Sequence, residues 1–470
     1  MVQQGERRDE ADLKRVLEKA LASGASYADL RYQVQDSESV SVENKALKSY
    51  SSRRLSGFGV RVVVGGSFGY ASSSDRSQSS LEKTLEKSIK AAKATKSESQ
   101  AFSPGEANQA NLKSPAKVDP LEVSPEEKVS IALEANKAAW VSDNIKNVET
   151  MYGLVKDRRL FMSTEGADVN VETTTIGLAT INVAQVNGVM EYIIDFKCDC
   201  KGFEFIRERD WNKLAIESSG TAIEAAKAKT APAGTYAVVV DPEVLGLLLH
   251  EAFGHASEGD LAFTGASVLK NKLGIQIADE CVTVVDEGVV EGGYFYPYDD
   301  EGVKKTKTVV VEDGVLKSYL LDRHSALQAG AKSTGNGRAQ DFENLPIVRQ
   351  TNFYLQPRDH TFEELIEDVD YGLYIGGRGL KGGQVEGAMG SFTFGVGPSK
   401  IIRNGELTDL VRGVVISGSI LDTLKTMDAV GKNLKVSTMV FGGCGKMSQS
   451  VFVGDGGPQV RVRKMTIGGQ

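Results

Sequence analysis

The sequence predicts an α+β protein, with an N-terminal α/β domain built on a mostly antiparallel sheet and a β-rich C-terminal domain that carries one prominent helix with two histidines. Several segments alternate apolar and polar residues with a period of two, which is typical of half-exposed antiparallel strands. Fewer segments repeat apolar residues at i, i+3, i+4 and i+7, which is typical of amphipathic helices. In the second half, Asp-Gly and Asn-Gly pairs between apolar runs indicate β-hairpins.

The first elements along the chain are a helix and a set of strands. Apolar spacing predicts a helix over 13–21, and period-2 alternation predicts strands over 28–34, 40–50 and 58–64. A second amphipathic helix is predicted over 81–94. This order favours helices packed against an antiparallel sheet.

The composition changes after the second helix. The stretch 96–123 is rich in Ser, Lys, Asn and Gln and contains several prolines, which predicts a linker or a long surface loop. A capping residue, Ser124, followed by proline predicts the start of a helix over 125–140. Strands are then predicted over 173–183 and 190–198. The N-terminal domain therefore resumes its sheet after the linker.

A helix over 211–227 and turn residues at 230–234 precede the predicted domain boundary. We expect an N-terminal α+β domain over 1–230 and a C-terminal domain over 231–470. No repeat of 20 to 50 residues is present, so the sequence does not predict a solenoid or a propeller.

The C-terminal domain begins with a buried type of strand over 236–240. Asp241 as N-cap and Pro242 in the first turn predict the helix that follows, which carries the two histidines. Beyond residue 281 the pattern is mostly β, with strands predicted over 282–285, 307–311, 315–320, 399–402 and 407–415. Short helices are predicted over 323–330, 362–369 and 420–430.

Length and charge narrow the class of protein. The 470 residues are 41 % hydrophobic and 25 % charged, which is typical of a globular protein of two or more domains. A net charge of -8 gives no general attraction to nucleic acid or anionic lipid. The start of the chain lacks the apolar core of a secretion signal, and no apolar run approaches the ~20 residues that span a bilayer. We expect a cytoplasmic protein that binds neither membranes nor nucleic acid directly.

Histidine and cysteine are scarce, with four of each in the chain, and too few cysteines for a disulfide scaffold. The histidines are His250, His255, His324 and His360, and the cysteines are Cys198, Cys200, Cys281 and Cys444. Two of the four histidines fall within one window of six residues. This window is therefore the first candidate for a functional site.

The window reads His-Glu-Ala-Phe-Gly-His. Two imidazoles suit a borderline-soft divalent metal such as zinc, and Glu251 beside the first histidine suits a general base. In the H-E-x-x-H zinc motif the histidines are four residues apart and share one helix face. Here they are five apart, which separates them by about 140° on a regular α-helix. A metal site therefore requires a distorted helix.

Two distortions would bring the histidines together. A single π-helical turn places residues five apart on one face and often occurs at functional sites. A helix that breaks at Gly254 would free His255 to turn toward the metal. Because the glycine directly precedes the second histidine, we expect the distortion at that residue.

A catalytic zinc ion needs a third protein ligand and an open position. Cys444 lies in a Gly-Gly-Cys-Gly-Lys run whose glycines permit a close backbone approach, and the lysine favours the thiolate. From the residues alone a buried core thiol, which is what most lone cysteines are, remains the alternative for Cys444, and Glu258, His324 and His360 remain rival ligands. For the C-x-C pair at 198 and 200, core packing is favoured over a second metal site.

The C-terminal half resembles the TldD/PmbA family, called modulators of DNA gyrase in older naming and regarded as metalloproteases. The resemblance rests on the motifs L-L-H-E-A-F-G-H-A-S-E-G-D, Y-D-D-E-G-V, G-V-L-K-S-Y-L-L-D, T-G-N-G-R, T-N-F-Y and C-G-K-M-S-Q, which begin at residues 248, 298, 314, 334, 351 and 444. The segment S-G-F-G-V-R-V from residue 56 adds to it.

The resemblance implies Zn²⁺ held by His250, His255 and Cys444, with Glu251 as the general base. Because the H-E-x-x-x-H motif is intact, the chain resembles the active, TldD-type subunit. The family then implies a cytoplasmic peptidase for peptides or unfolded polypeptide segments. It also implies a dimer, formed with a PmbA/TldE-like paralogue or with a second copy of the chain.

Substrate contacts are predicted in two of the shared motifs. In T-G-N-G-R the glycines permit backbone contacts with an extended peptide, Arg338 suits a carboxylate, and Asn336 lies between them. Asn352 of T-N-F-Y is a further candidate. A structural turn is the alternative for the first motif, because Gly and Asn are also ordinary turn residues.

Two other classes of function stay open. A non-catalytic regulator that binds a partner protein would match the gyrase-modulator name. A cysteine hydrolase that pairs Cys444 with a histidine would leave the adjacent His-Glu pair without a use. Sensitivity to chelators and the effect of replacing Glu251 separate these hypotheses from the peptidase.

Overall fold

A computed structural model describes residues 2–95, 102–387 and 389–469. The first part of the predicted linker, 96–101, lies outside the described residues. The chain is mixed α+β with mostly antiparallel sheets, as predicted. Within the described residues no helix is long and apolar enough to cross a membrane.

The N-terminal half is a long, twisted sheet with helices packed on it. Its strands are β1 Tyr27–Glu43, β2 Ala46–Val64, β3 Ser67–Ser73, β4 Gln109–Lys113, β5 Ile145–Ser163, β6 Asp168–Val186 and β7 Val189–Asp199. They lie in the order β3-β2-β1-β5-β6-β4, and β7 also pairs with β6. All the pairs are antiparallel except β4 with β6.

Helices bury apolar residues against this sheet. They are α1 Val2–Ala22, α2 Gln78–Ala94, α3 Pro125–Ala138, α4 Glu204–Arg207 and α5 Trp211–Lys227, with a 3₁₀ turn at Pro120–Glu122. The small residues Ala132 and Ala135 of α3, with Ala215 and Ala222 of α5, are fully buried in one core cluster. Small side chains let the two helices and the sheet approach closely. Burial of apolar area is the main term that stabilises this arrangement.

The C-terminal half contains two large sheets around a second core. Its strands are β8 Lys229–Thr230, β9 Gly234–Val240, β10 Val284–Glu287, β11 Thr308–Glu312, β12 Val315–Leu316, β13 Gly337–Arg338, β14 Ile347–Val348, β15 Asn352–Leu355, β16 Tyr371–Ile375, β17 Gly382–Glu386, β18 Ser391–Gly395, β19 Ser399–Arg403, β20 Glu406–Arg412, β21 Val414–Ser419, β22 Met427–Val430, β23 Lys435–Thr438, β24 Cys444–Lys446, β25 Gln449–Val451, β26 Gly454–Gly457 and β27 Val460–Gly469. Its α-helices are α6 Pro242–Leu248, α7 Gly259–Thr264, α8 Arg323–Ala329, α9 Phe362–Glu367 and α10 Ile420–Lys425.

The helix with the histidines lies between the two C-terminal sheets. The first sheet has six strands in the order β12-β11-β10-β15-β26-β23, and the second has ten strands, with β9 near its centre. Strand β9 leads directly into α6, whose residues Val244, Leu245 and Leu248 are fully buried in the main core. The end of α6 is therefore held rigidly between the sheets.

Buried ion pairs fix the two halves against each other. Arg61 of β2 contacts Glu301 at 2.8 Å, and Arg159 of β5 contacts Asp300 at 2.8 Å. Because charges buried without a partner are costly, these pairs favour one orientation of the halves. In that orientation the Gly379 amide donates a hydrogen bond to the Ile194 carbonyl of β7 at 3.1 Å, and Ile194 and His250 line the same cavity.

Three predicted elements differ from the structure. The strand predicted over 40–50 is a hairpin, because Asn44 and Lys45 have positive φ and turn the chain between β1 and β2. Part of the predicted linker is strand β4, paired with β6. The helix predicted over 420–430 ends at Lys425, because the residues that follow form β22 against β27. The domain boundary before residue 231 stays a prediction. Strand β8, which precedes that boundary, pairs with β20 of the C-terminal sheet.

Candidate metal centre

A π-helix brings the two histidines together. Asp241 caps α6 by accepting a hydrogen bond from the Glu243 amide, and the helix continues as a π-helix over Leu249–Gly254. The amide of His255 donates to the carbonyl of His250, which is the five-residue spacing of a π-turn. The two imidazole rings consequently lie face to edge with centroids 5.3 Å apart. The π-helical alternative predicted from the spacing is confirmed.

Gly254 has a different role from the expected helix break. Its backbone keeps right-handed helical angles, with φ -62° and ψ -48°. A Cβ atom at this position would lie 1.9 Å from Oε1 of Gln350, a fully buried residue. The amide of Gln350 donates to the His250 carbonyl at 3.1 Å. The glycine therefore makes room for a side chain that supports the π-turn.

Replacing Gly254 by alanine is expected to lower the free energy of unfolding by about 1–3 kcal/mol, because the buried Gln350 amide has to move away from the new methyl group. Chemical denaturation measures the change. The matched control is Gly220→Ala in α5, where a Cβ meets nothing within 4 Å and the better helix propensity should add about 0.5–1 kcal/mol. Equal effects of the two substitutions would contradict the role of Gly254.

Cys444 completes a set of three donor atoms. It begins β24, which forms a tight hairpin with β25, and its Sγ lies 3.1 Å from Nε2 of His255. One ligand atom each of His250, His255 and Cys444 lies within 4.8 Å of the others. His324 is exposed on α8, and His360 lies against the Val430 carbonyl, so neither rival histidine joins them.

Glu258 supports a ligand instead of serving as one. Its fully buried Oε2 lies 3.1 Å from Nδ1 of His255 and 2.9 Å from Nζ of Lys446. Lys446 also contacts Asp260 at 2.7 Å. A proton on Nδ1 donated to this carboxylate leaves Nε2 for a metal, which is the usual outer contact of a ligating histidine. Sequence reasoning named Glu258 only as a rival ligand. Nothing in the sequence predicted that Glu258 contacts Lys446.

The charges of the site favour a thiolate at Cys444. Burial alone raises the pKa of a thiol, but the neighbouring His250 and His255 rings lower the pKa of Cys444 to about 4. Burial likewise raises the pKa of Glu258, and the opposing effect of His255 and Lys446 lowers it to about 2. Above these values both groups are anionic, and Cys444 offers a thiolate, which is the form in which cysteine binds a metal.

The donor set fits a zinc ion. Both ring nitrogens of His250 are buried and have no hydrogen-bond partner among the described residues, which is costly unless another group satisfies them. Two imidazole nitrogens and one thiolate are typical ligands of a catalytic zinc with an open fourth position. The three residues on two separate elements therefore have the chemistry and the proximity of a metal centre.

A cavity of about 370 Å³ opens beside the three donors. Glu251 lines it, half-buried, and its carboxylate makes no hydrogen bond or ion pair with the residues that the structure describes. Asp455 of β26, which sequence reasoning missed, also lines the cavity. Its side chain packs closely on Gly246 of α6, where a Cβ atom would lie 2.5 Å from Oδ1 of Asp455. The apolar part of the wall comes from both halves of the chain: Ile194, Phe196, Leu247, Leu380, Met439 and Val453.

The three residues predicted to contact substrate lie in the buried network behind this site. Asn336 and Asn352 are fully buried, and their amides donate to protein oxygens, of Asp286 and Arg349 for the first and of Glu287 and Tyr294 for the second. These contacts do not support the predicted role of the two asparagines in substrate binding. The buried Arg338 donates to the Gln350 and Phe452 carbonyls, but its Nε lacks a partner.

The remaining cysteines are neutral core thiols. Burial raises the pKa of Cys198, Cys200 and Cys281 to about 12 in each case. Cys200 accepts a hydrogen bond from the Phe295 amide, and Cys281 donates to the Met427 carbonyl. The described residues that cluster as three metal donors do not include them. Core packing, favoured from the sequence, agrees with these contacts.

The three donors beside the cavity define a candidate metal centre, and comparison with known proteins gives the family of the chain. Three domains of one family match the chain: PmbA/TldA metallopeptidase domain 1 over residues 28–92, the central domain over 118–227 and the C-terminal domain over 233–469. The chain belongs to the PmbA/TldD metallopeptidase family.

Full-length relatives support the assignment. The metalloprotease MJ0996 of Methanocaldococcus jannaschii is 38 % identical, over 95 % of this chain and 97 % of its own length. The zinc metalloprotease TldD homologue of Saccharolobus solfataricus is 27 % identical, over 96 % of this chain and 99 % of its own.

Solved structures share the fold over nearly the whole chain. A proposed modulator of a DNA gyrase from Thermotoga maritima has a TM-score of 0.83 and 22 % identity, covering 98 % of this chain and all of its own. TldE from Thermococcus kodakarensis has a TM-score of 0.77 and 20 % identity, covering 97 % of this chain and all of its own. At these identities the likeness shows the fold alone.

Proposed function

We propose that this chain is a zinc-dependent peptidase whose metal is held by His250, His255 and Cys444. One observation carries the proposal: three donor atoms lie within 4.8 Å, and among the described residues the His250 imidazole has no hydrogen bond and the nearby Glu251 carboxylate has no partner. The names of the relatives, metalloprotease and zinc metalloprotease, support the same chemistry. A zinc ion in this position would supply a Lewis acid and would lower the pKa of a bound water molecule to ~7.

Glu251 is the proposed general base. Its carboxylate is adjacent to a proposed ligand and lines the cavity, so it can accept a proton from the water that attacks a peptide carbonyl. The same carboxylate can then return the proton to the leaving amine. The fully buried Glu258 holds the His255 ring in place, and Lys446 pairs with Glu258. Neither residue lines the cavity, so we assign them no part in proton transfer. The apolar wall excludes bulk water from the reaction.

The cavity suits part of an extended peptide. A volume of about 370 Å³ is at the lower end for a ligand pocket and too small for a folded domain. Its apolar lining favours an apolar side chain beside the scissile bond. Peptides or unfolded polypeptide segments are therefore the proposed substrates, and the cytoplasm is the proposed location.

A dimer is the proposed assembly, formed either by two copies of this chain or with a related chain. The fold shared with TldE supports a pairing of related subunits. The intact His-Glu pair and Cys444 give this chain a complete donor set, so we assign it the catalytic role in either dimer.

Digestion of a peptide pool with and without a zinc chelator tests the proposal. We expect cleavage that the chelator abolishes and added zinc restores, because zinc contributes several kcal/mol to the stabilisation of the transition state. Cleavage that resists the chelator would favour a cysteine hydrolase. If the zinc-loaded chain gives no products, alone or mixed with a motif-lacking relative, the chain is a non-catalytic regulator.

A further inference from the structure

A second cavity, of about 690 Å³, adjoins the proposed catalytic cavity. Gly443, the residue before Cys444, lines both cavities. The second cavity lies between the β1–β2 hairpin, which contributes Gln35 and Ser37, and C-terminal loops near Phe441 and Phe452. A peptide bound in the catalytic cavity would therefore lie next to this second space.

Positive charge dominates the lining of the second cavity. Four arginines line it, Arg53, Arg54, Arg159 and Arg338, and Asp341 is the single acidic residue in the lining. This contrasts with the whole chain, whose net charge is -8. The cavity is therefore a local basic site in an acidic protein, which attracts anions.

The four arginines differ in how far their charges are already satisfied. Arg159 is neutralised by Asp157 at 2.7 Å and Asp300 at 2.8 Å. Arg54 has only a loose contact with Asp36, at 3.7 Å, and its side chain is 68 % exposed. Arg53 makes no hydrogen bond or ion pair with any residue that the structure describes. Of the two arginines on β2, Arg53 is thus the one whose charge is available to a ligand.

The buried side chain of Arg338 also favours an anionic ligand. Arg338 is 98 % buried, since its exposed fraction is 2 %, and its Nε is without a hydrogen-bond partner. Its guanidinium stacks on Tyr296, 4.1 Å from the ring centroid, so an extra positive charge is held in the wall. An arginine fork that is held in place by stacking on an aromatic ring is suited to bind a carboxylate.

We propose that this basic cavity binds acidic side chains of the substrate, so that the protein prefers peptides with Glu or Asp on one side of the scissile bond. The inference rests on the proposed peptidase function and adds a substrate class to it. A peptide is favoured over a free phosphate because the cavity lies next to the catalytic one, with Gly443 in the wall of both, and is large enough for several residues.

Binding to the catalytically silent Glu251→Gln variant, loaded with zinc, tests this inference. The probes are fluorescent peptides of one sequence that carry two glutamates or two glutamines, on either the N-terminal or the C-terminal side of the centre. We expect the glutamate peptide of one side to bind about tenfold more tightly, because charge-assisted hydrogen bonds exceed neutral ones. The preference should shrink as salt is raised.

Arg53→Glu is expected to remove the preference, and Lys48→Glu is its matched control. Lys48 lies on the same exposed part of β2 but pairs with Glu43 at 2.8 Å and does not line the cavity. Equal binding of glutamate and glutamine peptides, or equal effects of the two substitutions, would overturn the inference. Cleavage by the parental chain without a charge preference would do the same. Preferential binding without cleavage would overturn only the proposed peptidase function.

Discussion

Replacing Glu251 by glutamine is expected to lower kcat for peptide cleavage by about 10²–10⁴-fold while zinc stays bound. The substitution keeps the size of the side chain and removes the oxygen that accepts a proton. Since the metal is assigned to His250, His255 and Cys444, the zinc content should not change. Peptide cleavage assays, together with metal analysis of the same preparation, measure both quantities.

Glu280→Gln provides the matched control, because Glu280 is exposed and does not line the catalytic cavity. Its kcat should equal that of the parental chain. Cleavage retained by Glu251→Gln would remove this residue from the mechanism. Loss of both cleavage and zinc would instead show that Glu251 helps to hold the metal.

Replacing Cys444 by alanine is expected to remove zinc and, with it, cleavage. Outer contacts of metal ligands contribute roughly 10–100-fold to affinity, so the loss of a ligand itself should exceed that range. The substitution also leaves His255 without the sulfur that lies 3.1 Å from its Nε2. Competition with a zinc-binding dye measures the affinity, and elemental analysis measures the content.

Cys281→Ala is the control for this substitution. The Cys281 thiol donates to the Met427 carbonyl and lies outside the donor set, so its loss should cost about 1 kcal/mol of stability and leave zinc affinity unchanged. Full zinc content and full cleavage in Cys444→Ala would contradict the assignment of the third ligand.

The first two proposed ligands were predictable from local spacing. Two histidines five residues apart on a predicted helix require either a π-turn or a break, and the structure has the π-turn. The third was not predictable from the residues alone, because Cys444 is 189 positions from His255 and only the folded sheets bring them together. The resemblance to the family supplied that residue.

The differences from prediction have specific physical causes. Asn336 was predicted to contact substrate because glycines flank it in T-G-N-G-R, and Asn352 was a further candidate in the shared motif T-N-F-Y. In the fold they satisfy buried backbone groups, which also require polar side chains. The turn at Asn44 and Lys45 lacks an Asn-Gly pair and was hidden within one alternating pattern. Tertiary pairing with β27 decided the end of α10, against the local helical spacing.

X-ray absorption at the zinc edge, on protein purified without chelator, tests the central claim most directly. The account predicts about one zinc ion per chain, with one sulfur scatterer at ~2.3 Å and two imidazole nitrogens at ~2.0–2.1 Å. The sulfur scatterer should disappear in Cys444→Ala. Zinc far below one per chain, or a coordination shell without sulfur in the parental protein, would contradict the proposed metal centre.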